Sequence, residues 1–532
     1  MKKIAELTAI VLLLLLIFSR CAKVGTINGG PLDSIPPVLV SASPKNFSTN
    51  FNSQVIKIRF SEYVKFKDVS KQLVVSPPLK QQPTVTPTVA AKEFTIRFRD
   101  TLKPNTTYCL NFGNSIQDNN EGISLENFRY VFSTGSTIDS LTLEGRVSDA
   151  LERKLDPGIS LLLYDANESY NDSLVYKQAP RYVTTTRDSL NNFKFEYLKA
   201  GSYKLIALQE KTVNYKLEPA SEKIGFSSTF IEVPNTESQQ LRVSKAKSTF
   251  KAVNASSASA NRLLIGYSGT ADQVQAEILF PKTDLKPVVT KIPGKDSLHV
   301  FIPQGKKDSI GVRIRSGAYE KDFTVKSKLQ ASDSLSISAV KAGALAWRED
   351  FELISSTPIA QINKELISLT QNGKPIDFSL TEDFANLKTT VKFKKEEVAK
   401  YVLQILPKAV QDIYGQENDS LKFSFGTRAL SEFGNLTLSL KNAPKSPLLL
   451  QLTNDKGKVL YESVVTENQE VFFEGLEPNK FYVRVIVDTN GNGVFDSGNI
   501  LENKQPEEVI YFPELLDVRA NWDVNQDFDL RR

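Results

Sequence analysis

Phe193-Lys194-Phe195-Glu196-Tyr197-Leu198-Lys199-Ala200-Gly201-Ser202-Tyr203-Lys204-Leu205 and Val471-Phe472-Phe473-Glu474-Gly475-Leu476-Glu477-Pro478-Asn479-Lys480-Phe481-Tyr482-Val483 carry one pattern twice. Each reads as a strand, a turn centred on a leucine, and a second strand bearing an aromatic. The leucine plugs the core as the chain crosses between strands. Outward from these stretches, period-2 runs recur at 55–60, 94–98, 203–208 and 423–425, with turn residues at short intervals between them. Period 2 with frequent punctuation is the grammar of stacked sheets, so the predicted fold class is all-β, a tandem array of β-sandwiches. A short polar stretch at 394–400 is expected to be helical. The low-complexity run at 252–261 (AVNASSASAN) is expected to be an exposed loop.

A second kind of unit also occurs twice. Its first copy ends in Tyr108-Cys109-Leu110, Gln117-Asp118-Asn119-Asn120-Glu121-Gly122 and Phe132-Ser133-Thr134. Its second copy has Tyr401-Val402-Leu403, Gln411-Asp412-Ile413-Tyr414-Gly415 and Phe423-Ser424-Phe425. In each turn the aspartate side chain caps the backbone and the glycine supplies positive φ.

With Pro37…Ser43-Pro44 and Phe60-Ser61-Glu62 added, this unit resembles the bacterial Ig-like domain of S-layer and other surface proteins. The repeated leucine-turn pattern resembles transthyretin-like or Cna-B-like sandwiches. The whole arrangement resembles Ig-like-domain lipoproteins of Gram-negative bacteria. The resemblance implies a signal peptide at 1–21, a flexible tether at 22–35 and an Ig-like domain at 36–135. It then implies a transthyretin-like or Cna-B-like sandwich at 138–235, a further sandwich of open type at 240–326, a degenerate second Ig-like domain at 327–428, and a second transthyretin-like sandwich at 430–532.

The N-terminus reads as a targeting segment. Lys2 and Lys3 precede a ten-residue apolar run at 9–18, which ends at Phe18-Ser19-Arg20-Cys21. Ten residues are too few for a free transmembrane helix and suit a secretory h-region. A cysteine directly after it resembles a bacterial lipobox, although Arg20 replaces the usual small residue. In that reading Cys21 is acylated and the mature chain is anchored to the outer membrane, facing the periplasm or the surface. The alternatives are an uncleaved signal anchor and an incidental cysteine.

Composition excludes several classes. At about 100–200 residues per domain, 532 residues make several domains. Lys and Arg number 66 against 61 Asp and Glu, a net charge of +5, which leaves no electrostatic footprint for nucleic acid. One histidine, His299, excludes a zinc site needing two, and two cysteines exclude a disulfide framework. No nucleophile elbow, Walker loop or dinucleotide fingerprint is present. His299 and Cys109 each sit in an alternating strand, and Trp347 and Trp522 read as core or sheet-edge packing.

Two patterns suggest ligands or modification. Asp488-Thr489-Asn490-Gly491-Asn492-Gly493-Val494-Phe495-Asp496 resembles a calcium loop. Asp488, Asn490, Asn492 and Asp496 would offer side chains and Val494 its carbonyl, with Glu502 in place of the missing position-12 glutamate. Weak Ca²⁺ binding is the expectation; a metal-free Asn-Gly hairpin turn is the alternative. The equivalent stretch of the first copy, Glu210 to Glu218, is expected to bind nothing. Asp-Ser followed by Leu or Ile recurs, which resembles an O-glycosylation sequon at Ser140, Ser173, Ser189, Ser297, Ser309, Ser334 and Ser420. Turn-then-strand grammar alone generates the same tripeptide. The function expected is a non-enzymatic, lipid-anchored envelope scaffold with an envelope protein or glycan as partner. The alternative is a glycan-binding or glycan-processing protein that uses a carboxylate pair.

Overall fold

The structure, a computed structural model, describes residues 34–186, 188–245, 248–271, 273–283, 286–303, 308–326 and 331–531. The expected signal segment, Cys21 and nearly all of the tether lie outside the described residues. Within them, strand pairing sorts the chain into five successive β-sandwiches. They fall into two compact units that divide between Ile138 and Asp139.

The first unit holds the first sandwich. Leu39–Ser43, Val55–Phe66, Ala91–Arg97 and Thr84–Thr86 make one sheet, and Val74–Ser76, Thr107–Asn111 and Arg129–Ser133 the other. Ile56, Ile58 and Phe60 alternate inward and meet Phe94, Ile96, Tyr108 and Phe132 in one core. The expected turn forms: Asp118 accepts the N–H groups of Asn120 (3.0 Å), Glu121 (2.5 Å) and Gly122 (3.2 Å), and Gly122 has φ +78°. In the fourth sandwich, whose strands run from Ile337–Ala339 to Leu421–Thr427, Asp412 accepts from Tyr414 and Gln416, each at 2.9 Å.

The helix expected at 394–400 does not form. The Tyr401 hydroxyl accepts the Glu396 N–H at 2.8 Å, Thr427 Oγ1 donates to the Glu396 carbonyl, and Val398 has φ +50°. Three tertiary constraints override a weak local helix preference. The first sandwich builds the same corner, where the Tyr108 hydroxyl accepts the Lys103 N–H at 2.8 Å.

The second unit begins with the two layers of the second sandwich. Tyr182–Thr185, Ser160–Asp165, Gly201–Gln209 and Lys223–Phe226 form one; Asn192–Leu198, Leu141–Asp149 and Gln239–Lys245 form the other, and the two are joined into a single eight-stranded sheet where Lys223–Phe226 pairs with Gln239–Lys245. The strand Gln239–Lys245 pairs in parallel with Leu141–Asp149, so the sandwich runs through Lys245 rather than stopping at 235. The fifth sandwich repeats this topology. Val459–Val465, Leu448–Thr453, Asn479–Val487 and Glu508–Tyr511 face Glu470–Leu476, Gly434–Lys441 and Asp523–Asp529, whose last strand again pairs in parallel with the first. The turn leucines, Leu198 and Leu476, are buried in the two cores.

Residues 251–326 form the third sandwich around Leu263, Ile265, Val300, Val312 and Ile314. The run 252–261 is not a loop: Lys251–Ser259 is a strand paired with Arg262–Ser268. Small side chains give no periodic signal, yet they fit a hairpin edge.

The outer sheets of the second and fifth sandwiches are buried on both faces. Leu161, Leu163, Leu205 and Ala207 point into the second core. Their neighbours Leu162, Ile206, Leu208, Ile224 and Phe226 point the other way and are buried too. In the fifth sandwich Leu449, Gln451, Arg484 and Ile486 occupy the corresponding outer rows and are also buried. A sheet buried on both sides reads as a continuous apolar run rather than an alternating one. Leu205 to Leu208, the end of a stretch expected to alternate, is such a run, and part of what covers the sheet there is the fifth sandwich.

Candidate functional site: the junction of the second and fifth sandwiches

The loop after Asn479–Val487 reaches across to the second sandwich. Its Gly498 N–H donates to Ser244 Oγ at 3.0 Å, Asn503 Nδ2 to the Ser228 carbonyl at 2.9 Å, and Gln505 Nε2 to the Phe226 carbonyl at 3.0 Å. Arg242 donates back to the carbonyls of Pro506 (3.2 Å) and Glu507 (3.4 Å). On the other side Arg484 reaches the Leu151 carbonyl at 2.9 Å, and the Tyr511 hydroxyl donates to the same oxygen. Arg153 donates to the Pro513 carbonyl at 2.7 Å and lies over the Tyr482 ring, 5.0 Å from its centroid.

The expected calcium-loop residues sit at the root of this loop. Asp488 is buried and accepts the N–H groups of Asn492 (3.1 Å) and Gly493 (2.8 Å). Asn490 and Asn492 both donate to Asp496 Oδ2, the latter at 3.2 Å. Val494 is exposed, and its N–H donates to Asn492 Oδ1 at 2.9 Å. Asp488, Asn490, Asn492 and Asp496 therefore converge. Glu502 does not join them: it is exposed and accepts from the Asn499 amide at 2.7 Å. The carboxylate that the fold brings in is Glu507, buried, which accepts Thr489 N–H at 2.8 Å and Asp496 N–H at 3.0 Å. Among the described residues, no group of three or more His, Cys, Asp or Glu side chains is placed to hold a metal.

The second sandwich carries the same staple. Glu210 accepts the N–H groups of Asn214 (2.8 Å) and Tyr215 (2.6 Å), and buried Glu222 accepts those of Lys211 (3.2 Å) and Glu218 (2.8 Å). Glu210 and Glu222 thus stand where Asp488 and Glu507 stand in the fifth sandwich.

A groove of about 700 Å³ opens between the two sandwiches. Its second-sandwich wall is Tyr170, Asn171, Asp172, Ser173 and the 228–230 turn; Leu501 and Asn503 come from the fifth, and Lys204 lines it between them. Tyr170 and Phe230 meet edge to face, centroids 5.5 Å apart. The Tyr170 hydroxyl donates to Asp172 at 2.7 Å. Burial and then that carboxylate raise the Tyr170 phenol far above its ordinary range. Lys204 is only 4% exposed. Its ammonium donates to Asn503 Oδ1 at 3.3 Å and lies 5.5 Å from the Phe226 centroid and 6.0 Å from that of Phe230. Burial holds the lysine below its usual range, opposed by the field of Asp172. Asp172 is the one carboxylate among the described lining residues, so the groove holds no carboxylate pair.

The Asp-Ser serines spread across the molecule. Ser140 and Ser420 are exposed one residue ahead of a strand, and Ser297 and Ser309 are half-buried strand-opening residues. Ser189 and Ser334 are exposed in loops. Ser173 departs from the turn–strand rule: it lies in the 3₁₀ helix Asp172–Tyr176, capped by Asn171, on the groove wall. His299 is half-buried in its strand with its pKa lowered by burial and by Arg262, and Cys109 is buried. Trp347 packs on Gly475, but Trp522 is 54% exposed and stacks with Arg519 instead of filling a core.

Residues 33–134 match the family described as bacterial Ig-like domain. None of the curated proteins compared with the chain matches it. Among solved structures, domains 1–6 of the surface layer protein SbsC are 12% identical over 91% of this chain and 67% of that one, with a TM-score of 0.14. A Bacteroides ovatus mixed-linkage glucan utilisation locus protein, SGBP-B, solved with a heptasaccharide, is 12% identical over 72% and 94%, TM-score 0.18. BcpA, the major pilin subunit of Bacillus cereus, is 8% identical over 74% and 99%, TM-score 0.15. Superpositions this loose carry no argument about function. Among the described residues, no helix is long and apolar enough to cross a membrane.

Proposed function

We propose that this chain is a non-enzymatic cell-envelope protein, held to the outer membrane by a lipid on Cys21, whose sandwiches form a binding scaffold. The observation that supports it best is the direct docking of the second and fifth sandwiches, in which Leu151 is held by Arg484 and Tyr511, 333 and 360 residues further along the chain. Reciprocal polar contacts of this kind hold a binding surface in one geometry, which a row of independent beads on linkers does not. The Ig-like family match and the lipobox-like Cys21 agree with an envelope location. The groove, with one carboxylate, gives no support to the glycan-processing alternative.

Fractionation of cells expressing the Cys21→Ala variant tests the anchor. Release from the membrane fraction, or an uncleaved precursor, is the expected result; unchanged partition with unchanged processing overturns it. Intact mass of native-host protein reports the lipid and, in the same measurement, any glycan on the Asp-Ser serines.

A further inference from the structure

The groove between the second and fifth sandwiches contains a buried ammonium, Lys204, with two aromatic rings and one amide oxygen against it but no carboxylate in ion-pair contact. Lys204 lies in the middle of the strand Gly201–Gln209, paired to Tyr164 on one side. A lysine so nearly buried loses most of its hydration, and buried ammonium groups are ordinarily matched by a carboxylate. Here no described carboxylate lies within ion-pair distance. The acceptor in contact is one amide oxygen, Asn503 Oδ1, at the long distance of 3.3 Å. Asp172 acts on the lysine only through its field, and its Oδ1 already accepts the Tyr170 hydroxyl. An ammonium has three N–H donors. The remaining donors belong to a group that lines a groove open to solvent.

The rest of the lining specifies the shape of what would fit. Phe230 is 51% exposed at the rim, in T-shaped contact with Tyr170 and with the Lys204 ammonium 6.0 Å from its centroid. Asn171, Thr229 and Asn503 place short amide and hydroxyl groups around it. Flat rings beside short hydrogen-bonding side chains suit a hydroxyl-rich ring ligand, and the volume lies within the about 300–1,000 Å³ of ordinary ligand sites. The site also lies at a module junction, with wall residues from both sandwiches.

We infer that this groove binds an acidic glycan, a pyranose chain bearing a carboxylate, with a sugar face on Phe230 and the carboxylate on Lys204. The sugar ring takes the apolar face, while the anion supplies the acceptor that the buried ammonium lacks. This rests on the binding-scaffold reading above and names its ligand class.

Titration of the full-length protein in detergent micelles with uronate oligosaccharides, neutral gluco-oligosaccharides, inorganic phosphate and a carboxylate-terminated peptide separates the possible ligands. Uronate oligosaccharides are expected to bind at least tenfold more tightly than neutral ones. Lys204→Met should abolish that preference, Phe230→Ala should weaken both sugar classes about tenfold, and Phe472→Ala, an exposed aromatic of the fifth sandwich outside the groove, should change nothing. No saccharide binding, saccharide binding indifferent to Lys204→Met and Phe230→Ala, or binding of the peptide or phosphate in preference to the uronates overturns the inference. Because Lys204 is buried, Lys204→Gln serves as a second variant if the methionine form fails to fold. Membrane partition of the wild-type chain is read separately, so a failed titration leaves the anchored-scaffold reading standing.

Discussion

Arg484 and Tyr511 converge on one atom, the Leu151 carbonyl oxygen, and that convergence is a measurable claim about the junction. Arg484 is 5% exposed. Its Nε donates to Gln451 Oε1 at 2.7 Å and its NH1 to Leu151 O at 2.9 Å. Gln451 in turn donates to Glu462 at 2.5 Å, so a polar row crosses the outer sheet of the fifth sandwich and ends on the second. A hydrogen bond from a charged donor contributes about 1.5–3 kcal/mol, and a neutral one about 0.5–1.5 kcal/mol. Tyr511→Phe keeps the ring and removes only the hydroxyl, so its expected cost is about 1 kcal/mol. Arg484→Ala removes two bonds and leaves Gln451 Oε1 without its donor, so about 3 kcal/mol is expected. Either change alone leaves Leu151 O one partner; the double change leaves it none. The pair should therefore be non-additive, with a coupling of at least about 0.5 kcal/mol. Denaturant unfolding of the four proteins gives the cycle, and hydrogen exchange over 149–153 reports whether the second sandwich feels changes made in the fifth. Additivity within about 0.3 kcal/mol, with unchanged exchange at 149–153, would show that the two sandwiches do not share that carbonyl, and the docked junction would be wrong.

The junction of the fourth and fifth sandwiches offers a second handle. A β-carbon on Gly475, at φ +64°, would lie 2.5 Å from Trp347 Cδ1, so Gly475→Ala should cost at least about 1 kcal/mol and red-shift the emission of Trp347. Unchanged stability and emission would refute that packing. Burial alone would raise the Asp118 carboxyl, but the N–H groups of Glu121, Asn120 and Gly122 bring it down to about 2. Its contribution is therefore complete above about pH 4, the unfolded value, and fades as pH falls through about 2. Asp118→Asn should flatten the acid limb of the first unit's unfolding profile between those values, and an unaltered limb would rule the turn out as its source. Millimolar Ca²⁺ is expected to give a small heat with the full chain in calorimetry, removed by Asp496→Ala; no heat leaves 488–496 as a metal-free turn.

The sandwiches were legible because their inner faces alternate: Ile56, Ile58 and Phe60 point inward between Lys57 and Arg59. The turns were legible where one side chain does the capping, as with Asp118 and Asp412. What the sequence concealed lies between modules. Lys204 reads as an ordinary solvent-facing position in a period-2 strand, and only the covering loop 498–507 turns it into a buried cation. Yet a trace was present. Leu161-Leu162-Leu163, Leu448-Leu449-Leu450 and Leu205-Ile206-Ala207-Leu208 do not alternate, and an outer sheet face exposed to water has no use for Leu162, Ile206 or Leu449. An unbroken apolar run in an otherwise alternating chain marks a sheet with something on its far side. It cannot say what, because the partner lies far away in sequence. The two expectations that failed locally, a helix at 394–400 and a loop at 252–261, failed for a related reason. Polar and small residues leave local preference weak, and strand pairing or a tyrosine corner then decides.

The repeated loop staple bears on how the 488–496 motif is to be read. Glu210 and Glu222 hold their loop by accepting four backbone N–H groups, in a stretch that keeps only Glu210, Asn214 and Glu218 of the calcium-like pattern. Asp488 and Glu507 do the same at equivalent places. Because the first copy builds the staple without the full calcium-like pattern, the staple in the second does not depend on an ion. Buried Asp488 is explained by the N–H groups it accepts, so its presence alone is no sign of a metal. Asn214 and Glu218 of the first copy stand where Asn492 and Asp496 stand in the second, so among the side-chain oxygens what separates the copies is Asn490 in place of Thr212; Asn490, Asn492 and Asp496 are the residues on which a cation would have to rely. They stand at the base of the 498–507 loop that closes over the second sandwich and supplies Asn503 to the groove. Any ion bound there would act on the groove by stiffening that loop, whereas Glu507→Gln would loosen it whether or not calcium is present.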